Sequence, residues 1–150
     1  MILFDVNVLL NAHRAEQPDH ELARELLERT VNDARPFAVS ELILASFVRI
    51  TTHRRALNPP TPLVEALSFC DGLRSRPNVR FVAPGSRHWS LFIDLCRRFD
   101  AVGNLASDAY LAALAIESGC QWISFDRDFA RFPELDWRSP ADRGAGGLAR

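Results

Sequence analysis

The sequence contains no lysine: all 18 of its basic residues are arginine. A Walker-type phosphate loop, a Schiff-base enzyme, a kinase and a phospho-acceptor domain each depend on a lysine ammonium, so none of these mechanisms fits. Phosphate chemistry in this chain has to rest on arginine, backbone donors or a metal. Cysteine is scarce as well. Cys70, Cys96 and Cys120 are odd in number and widely spaced, with no Cys-x-x-Cys pair, which argues against a disulfide framework or a zinc knuckle and reads as buried thiols. No apolar run reaches the roughly 18 to 20 residues of a membrane helix. The opening Met1 to Leu10 carries Asp5 and Asn7 and lacks the basic start of a signal peptide, so a cytoplasmic location is expected. The four histidines, His13, His20, His53 and His88, show no metal-ligand spacing such as His-x-x-x-His, and are expected at the surface or in caps.

What is present fits one domain with one core: 150 residues, 47% of them hydrophobic. The net charge of −1 is not that of a typical nucleic-acid binder. Setting four acids aside around a metal, however, turns −1 into +3 for the remainder. The arginines gather at Arg49, Arg54 and Arg55, at Arg74, Arg76 and Arg80, and at Arg97 and Arg98; solvated helix ends would look the same.

Short apolar runs at Met1–Phe4, Phe37–Val39, Val79–Ala83 and Gln121–Phe125 read as strands, with a weaker one at Asp136–Arg138. Between them lie helical patterns. Leu22, Ala23, Leu26, Leu27, Val31 and Ala34 line one face behind a capping Asp19, and Pro36 ends that segment. Ser40 caps a second helix running towards Leu57, and Thr61-Pro62 starts a third that stops before Pro77. His88–Phe99 forms a fourth, and Gly103-Asn104 opens a fifth that Gly119 closes. Alternating strands and helices imply an α/β domain with helices on both faces of a mainly parallel sheet. Residues 1–139 are assigned to this domain and 140–150 to a flexible C-terminal tail, frayed from Gly144 on.

On this reading Asp5, Glu41 and Asp126 follow the ends of strands, at the carboxyl edge where open α/β sheets bind ligands. Asp108 shares a helical stripe with Ala112 and Ala115, which directs a carboxylate at an apolar face. Such a charge costs several kcal/mol unless compensated, and no lysine exists to compensate it. Taken singly, Asp5 suits a helix cap, Glu41 a first-turn acid and Asp126 a turn former. Together the four suit a divalent cation, and ligands that are all oxygen select Mg²⁺ or Mn²⁺ over zinc.

Asp5-Val6-Asn7-Val8-Leu9-Leu10, Ser40-Glu41-Leu42 with Val48-Arg49, Gly103-Asn104 with Ser107-Asp108-Ala109, and Ser124-Phe125-Asp126-Arg127-Asp128-Phe129 resemble the successive motifs of the PIN domain. More narrowly they resemble VapC, the toxin of bacterial VapBC toxin–antitoxin pairs, over residues 1 to about 139. The resemblance implies a three-layer α/β/α sandwich and a metal-dependent endoribonuclease that leaves 5′-phosphate and 3′-hydroxyl ends. It further implies inhibition by a VapB-like antitoxin, a homodimer, and transfer or ribosomal RNA as substrate. By motif position Asp5, Glu41, Asp108 and Asp126 are the acidic quartet, with Asp5, Asp108 and Asp126 on the metal. Asn7 and Ser124 would orient the carboxylates, and Asp128 competes with Asp126 as the acid nearer the metal. Arg49, Arg54 and Arg55 are candidates for RNA or antitoxin binding. The alternatives are an aspartyl phosphatase, which would want an acid at Asn7 and a lysine, and an inactive PIN fold that only binds RNA or a partner.

Overall fold

Strands of two or three residues, most of them apolar, are joined by helices that bury one stripe apiece. The computed structural model describes residues 1–144 of the chain. The strands are β1 (Ile2–Phe4), β2 (Phe37–Val39), β3 (Val79–Phe81), β4 (Gln121–Ile123) and β5 (Trp137–Arg138). They form one sheet in the order β3-β2-β1-β4-β5, every pairing parallel. The helices are α1 (Val6–His13), α2 (His20–Val31), α3 (Glu41–Thr51), α4 (Leu63–Arg74), α5 (His88–Phe99), α6 (Asn104–Glu117) and α7 (Pro140–Gly144), with a 3-10 turn at Arg127–Arg131. None of the described helices is long and apolar enough to cross a membrane.

The chain leaves β1 in one direction to build β2 and β3, then returns to the other side of β1 for β4 and β5. Right-handed crossovers put the connecting helices of these two excursions on opposite faces. The packing agrees: α1 contacts α2 and α3, α3 contacts α4, and α5 contacts α6. The result is the expected α/β/α sandwich. The reversal of strand order falls between β1 and β4, which opens a crevice at their carboxyl ends.

Most expected elements are present, with differences of physical origin. Val6–His13, assigned no element from sequence, is a helix. It is only eight residues long, too short for a clear helical periodicity, and its β-branched Val6 and Val8 have low helix propensity. The second helix stops at Val31, and the third stops at Thr51 rather than Leu57. Beyond it the chain turns back, with Thr61 N–H donating to the Thr51 carbonyl at 2.7 Å. Pro62 sits just outside α4 as its cap residue instead of inside the first turn. Of the histidines read as surface or capping residues, His88 is buried, its Nε2 3.0 Å from the Tyr110 carbonyl. His13 packs on the Phe47 and Phe69 rings. Cys70 and Cys120 are buried thiols, whereas Cys96 is only half-buried. The expected tail begins as α7, with Pro140 fully buried; the remainder of that expectation, residues 145–150, lies outside the described residues.

Helix α6 carries a run of fully buried alanines. Ala109, Ala112, Ala113 and Ala115 have no exposed surface, so a large part of the buried side of the helix meets its neighbours through methyl groups. Space for a longer side chain is absent in a close-packed interior. Ala112→Leu is therefore expected to lower stability by about 1–3 kcal/mol. The shift of its urea unfolding midpoint checks this, and a midpoint equal to that of the wild type would mean the helix can move aside.

Candidate metal-dependent active site

Asp5 follows β1 directly. Its backbone N–H donates to the Ile123 carbonyl at 2.9 Å, joining the ends of β1 and β4. Its side chain caps α1, with Oδ1 accepting from Val6 N–H at 2.6 Å. Oδ2 accepts from Ser124 Oγ at 2.5 Å and from Asn7 Nδ2 at 2.9 Å. The cap reading and the site reading of Asp5 thus hold together: one oxygen serves the helix, and the other faces β4.

Ser124 is fully buried and is the hub of this arrangement. While donating to Asp5, its Oγ accepts from Asn7 Nδ2 at 2.9 Å and from Asp126 N–H at 3.0 Å. Asn7 Oδ1 in turn accepts from Phe125 N–H at 3.3 Å. Asp126 caps the 3-10 turn, its Oδ1 accepting from Asp128 N–H at 2.8 Å. Asn7 and Ser124 therefore fix Asp5 and the Asp126 backbone relative to each other.

Asp108 stands one turn into α6, half-buried, above the buried Ala112 and Ala115 of its stripe. Asp108, Asp126 and Asp128 each offer a carboxylate oxygen, all within 4.8 Å of one another. Burial pushes the Asp108 carboxyl up to about 6, and the charges of Asp126 and Asp128 add to that. Burial likewise raises Asp5 to about 6; hydrogen bonds from Ser124 and Val6 oppose the rise, and the charges of Asp108 and Asp126 reinforce it. Three acids converge, and a fourth lies close enough to feel two of them.

Glu41, the first residue of α3, is not among the three. It is exposed and forms an ion pair with Arg74 of α4. Asp128, read from sequence as a rival to Asp126, stands beside it instead. The Asp-x-Asp spacing after β4 carries the signal for this, because a tight turn brings residues two apart to one side. Arg49, Arg54 and Arg55 are exposed at the far end of α3, Arg49 being roughly 12 Å along the helix axis from Glu41. Arg74 drew no individual attention in the sequence, since only the antiparallel placing of α4 on α3 brings it to Glu41.

Comparison with known proteins agrees with this geometry. The PIN domain family matches residues 2–135. The VapC ribonuclease Mb2897 of Mycobacterium bovis is 44% identical over 142 residues, covering 95% of this chain and 97% of the relative. Ribonuclease VapC25 of Mycobacterium tuberculosis is 44% identical over 135 residues, covering 90% and 95%. Among solved structures, VapBC2 from Rickettsia felis bound to a promoter DNA fragment shares the fold with a TM-score of 0.67 at 17% identity, over 93% of this chain and 98% of that one. VapC20 of Mycobacterium tuberculosis, a toxin that cleaves the sarcin–ricin loop, also gives 0.67 at 17% identity, over 91% and 98%. The chain belongs to the PIN-domain family and, within it, to the VapC ribonucleases.

Proposed function

We propose that this protein is a metal-dependent endoribonuclease, the toxin of a VapBC-type pair, acting in the cytoplasm on transfer or ribosomal RNA. The observation that carries the reading is the convergence of Asp108, Asp126 and Asp128, with the buried Asp5 beside them. The donor set is oxygen only and no lysine offsets it, which fits Mg²⁺ or Mn²⁺. Asp5, Asp108 and Asp126 would hold the ion, with Asp128 beside Asp126 and Glu41 completing the acids at the β2 edge. When bound, such an ion supplies a water of lowered pKa and polarises the phosphoryl oxygens.

The chain's own residues do the rest. Ser124 and Asn7 hold the Asp5 carboxylate in one orientation. Asp108 and Asp5, both raised to about 6 chiefly by burial, would be held in the ionised form by a bound cation. Arg49, Arg54 and Arg55 would contribute charge for RNA or antitoxin. A groove of carboxylates also attracts a guanidinium, which can bind a carboxylate with two parallel hydrogen bonds, so an arginine on an antitoxin tail would block it.

Four outcomes test this reading in separate ways. Cleavage of RNA by the purified protein is expected with Mg²⁺ or Mn²⁺ and absent in EDTA; full activity in EDTA would sink the metal assignment. Asp108→Asn is expected to abolish cleavage while leaving the metal-free melting temperature equal or higher at neutral pH. The sign follows from a carboxyl raised from 3.8 to about 6. Folding favours the protonated form, so that contribution is complete below 3.8 and lost as pH climbs through 6. The advantage of the Asn variant should accordingly be largest above pH 6 and fade near pH 4. A large loss of melting temperature at neutral pH would instead make Asp108 structural.

Replacing Arg54 and Arg55 with Ala is expected to weaken RNA binding and flatten its salt dependence, because each lost phosphate contact removes counterion release. An unchanged slope returns them to the solvated surface. A homodimer is expected, with the exposed Leu42, Leu63, Val64 and Leu67 of α3 and α4 as candidates for its interface. Light scattering that shows a strict monomer contradicts it.

A further inference from the structure

Among the described residues, the side chain of Glu41 has one hydrogen-bonding partner, Arg74. The Arg74 guanidinium lies over the Phe81 ring, 5.0 Å from its centroid. Arg74 is still 40% exposed and Glu41 71%, so the pair faces solvent. Phe81 ends β3 in register with Val39 of β2, and Glu41 follows two residues after Val39. Along the carboxyl edge the order is therefore Phe81 with Arg74, Glu41, Asp5 and Asp126. A positive group stands at one end of the edge and the converging carboxylates stand at the other. Three strand spacings, roughly 14 Å, separate β3 from β4.

We propose that Arg74 is a phosphate-positioning residue for the RNA, held ready on Phe81 and by Glu41, and that it exchanges Glu41 for a backbone phosphate flanking the one at the acids. The inference rests on the nuclease reading above and names a contact of the same site. A guanidinium stacked on an aromatic face has little rotamer freedom left to lose and presents its donors as a planar fork that matches phosphate. Glu41 occupies that fork in the free protein, yet an exposed ion pair is weak enough to be replaced. Were Glu41 to turn towards a cation, it would leave the fork to the RNA. Metal binding and RNA binding would then favour each other reciprocally.

The test keeps metal and cleavage out. Affinity for a short fluorescent single-stranded oligoribonucleotide of mixed sequence is measured in EDTA across a salt series. Arg74→Met, which retains the aliphatic stem, is expected to weaken binding several-fold and lower the salt slope by about 0.7. Arg74→Lys is expected to keep the slope and lose only part of the affinity. Glu41→Gln should tighten binding when Arg74 is present and do markedly less in the Arg74→Met background, as a double-mutant cycle reads it. Melting curves confirm that each variant is folded, and Phe81→Leu provides a second route by loosening the guanidinium without removing its charge. Wild-type affinity and slope in Arg74→Met, an equal effect of Glu41→Gln in both backgrounds, or no RNA binding by the wild type in EDTA each overturn the proposal. RNA that binds in this Arg74-dependent way but is never cut with Mg²⁺ or Mn²⁺ sinks the nuclease reading and leaves this one standing.

Discussion

A carboxylate held almost out of water at the end of β1 is the constraint from which the rest of the structure follows. Asp5 is 5% exposed, and an ionised group in such a place needs donors on nearly every lone pair. Val6 N–H, Asn7 and Ser124 supply them. Two of the three come from the first turn of α1, so the helix must start at once after the strand. The third comes from the residue just past β4, so β4 must lie beside β1. The parallel neighbours, the abrupt entry into α1 and the aim of Asp126 are thus different expressions of one solvation requirement. Because Ser124 Oγ also receives the Asp126 N–H, satisfying Asp5 sets the backbone that carries the next acid.

The same arrangement explains what could be read from the sequence. Strand ends are legible because apolar runs stop at polar residues, which placed Asp5, Glu41 and Asp126 at one edge. The stripe of Asp108, Ala112 and Ala115 is legible because helical periodicity survives burial on one side. Position in the fold did not disclose which acids meet. Glu41 turns to Arg74, a contact set by the packing of α3 on α4 across 33 residues, and no local pattern encodes it. Asp128 joins Asp108 and Asp126 because a 3-10 turn follows β4 at once. The histidines went astray for a related reason. His88 packs on the Tyr110 ring that α6 brings to it, and its hydrogen bond is to a carbonyl 22 residues away.

Having arginine as its only cation shapes this surface in a further way. A guanidinium stays charged under any condition in which the protein is folded, so the positive side of the site cannot titrate away. The negative side can, since Asp5 and Asp108 sit near 6. Electrostatic balance across the carboxyl edge is therefore governed by the acids alone.

The bond between Ser124 and Asp5 spans 119 residues, and this separation governs when the site can exist. Contacts so distant in sequence require a large loop to close before they are rewarded. A chain that emerges from its N-terminus has β1, α1 and Asp5 long before β4 arrives to shield them, and until then the carboxylate remains hydrated and free to turn. No partial product of synthesis lacking the last third of the domain can assemble the acids. The topology thus delays assembly of the acids until β4 and the turn after it have been made.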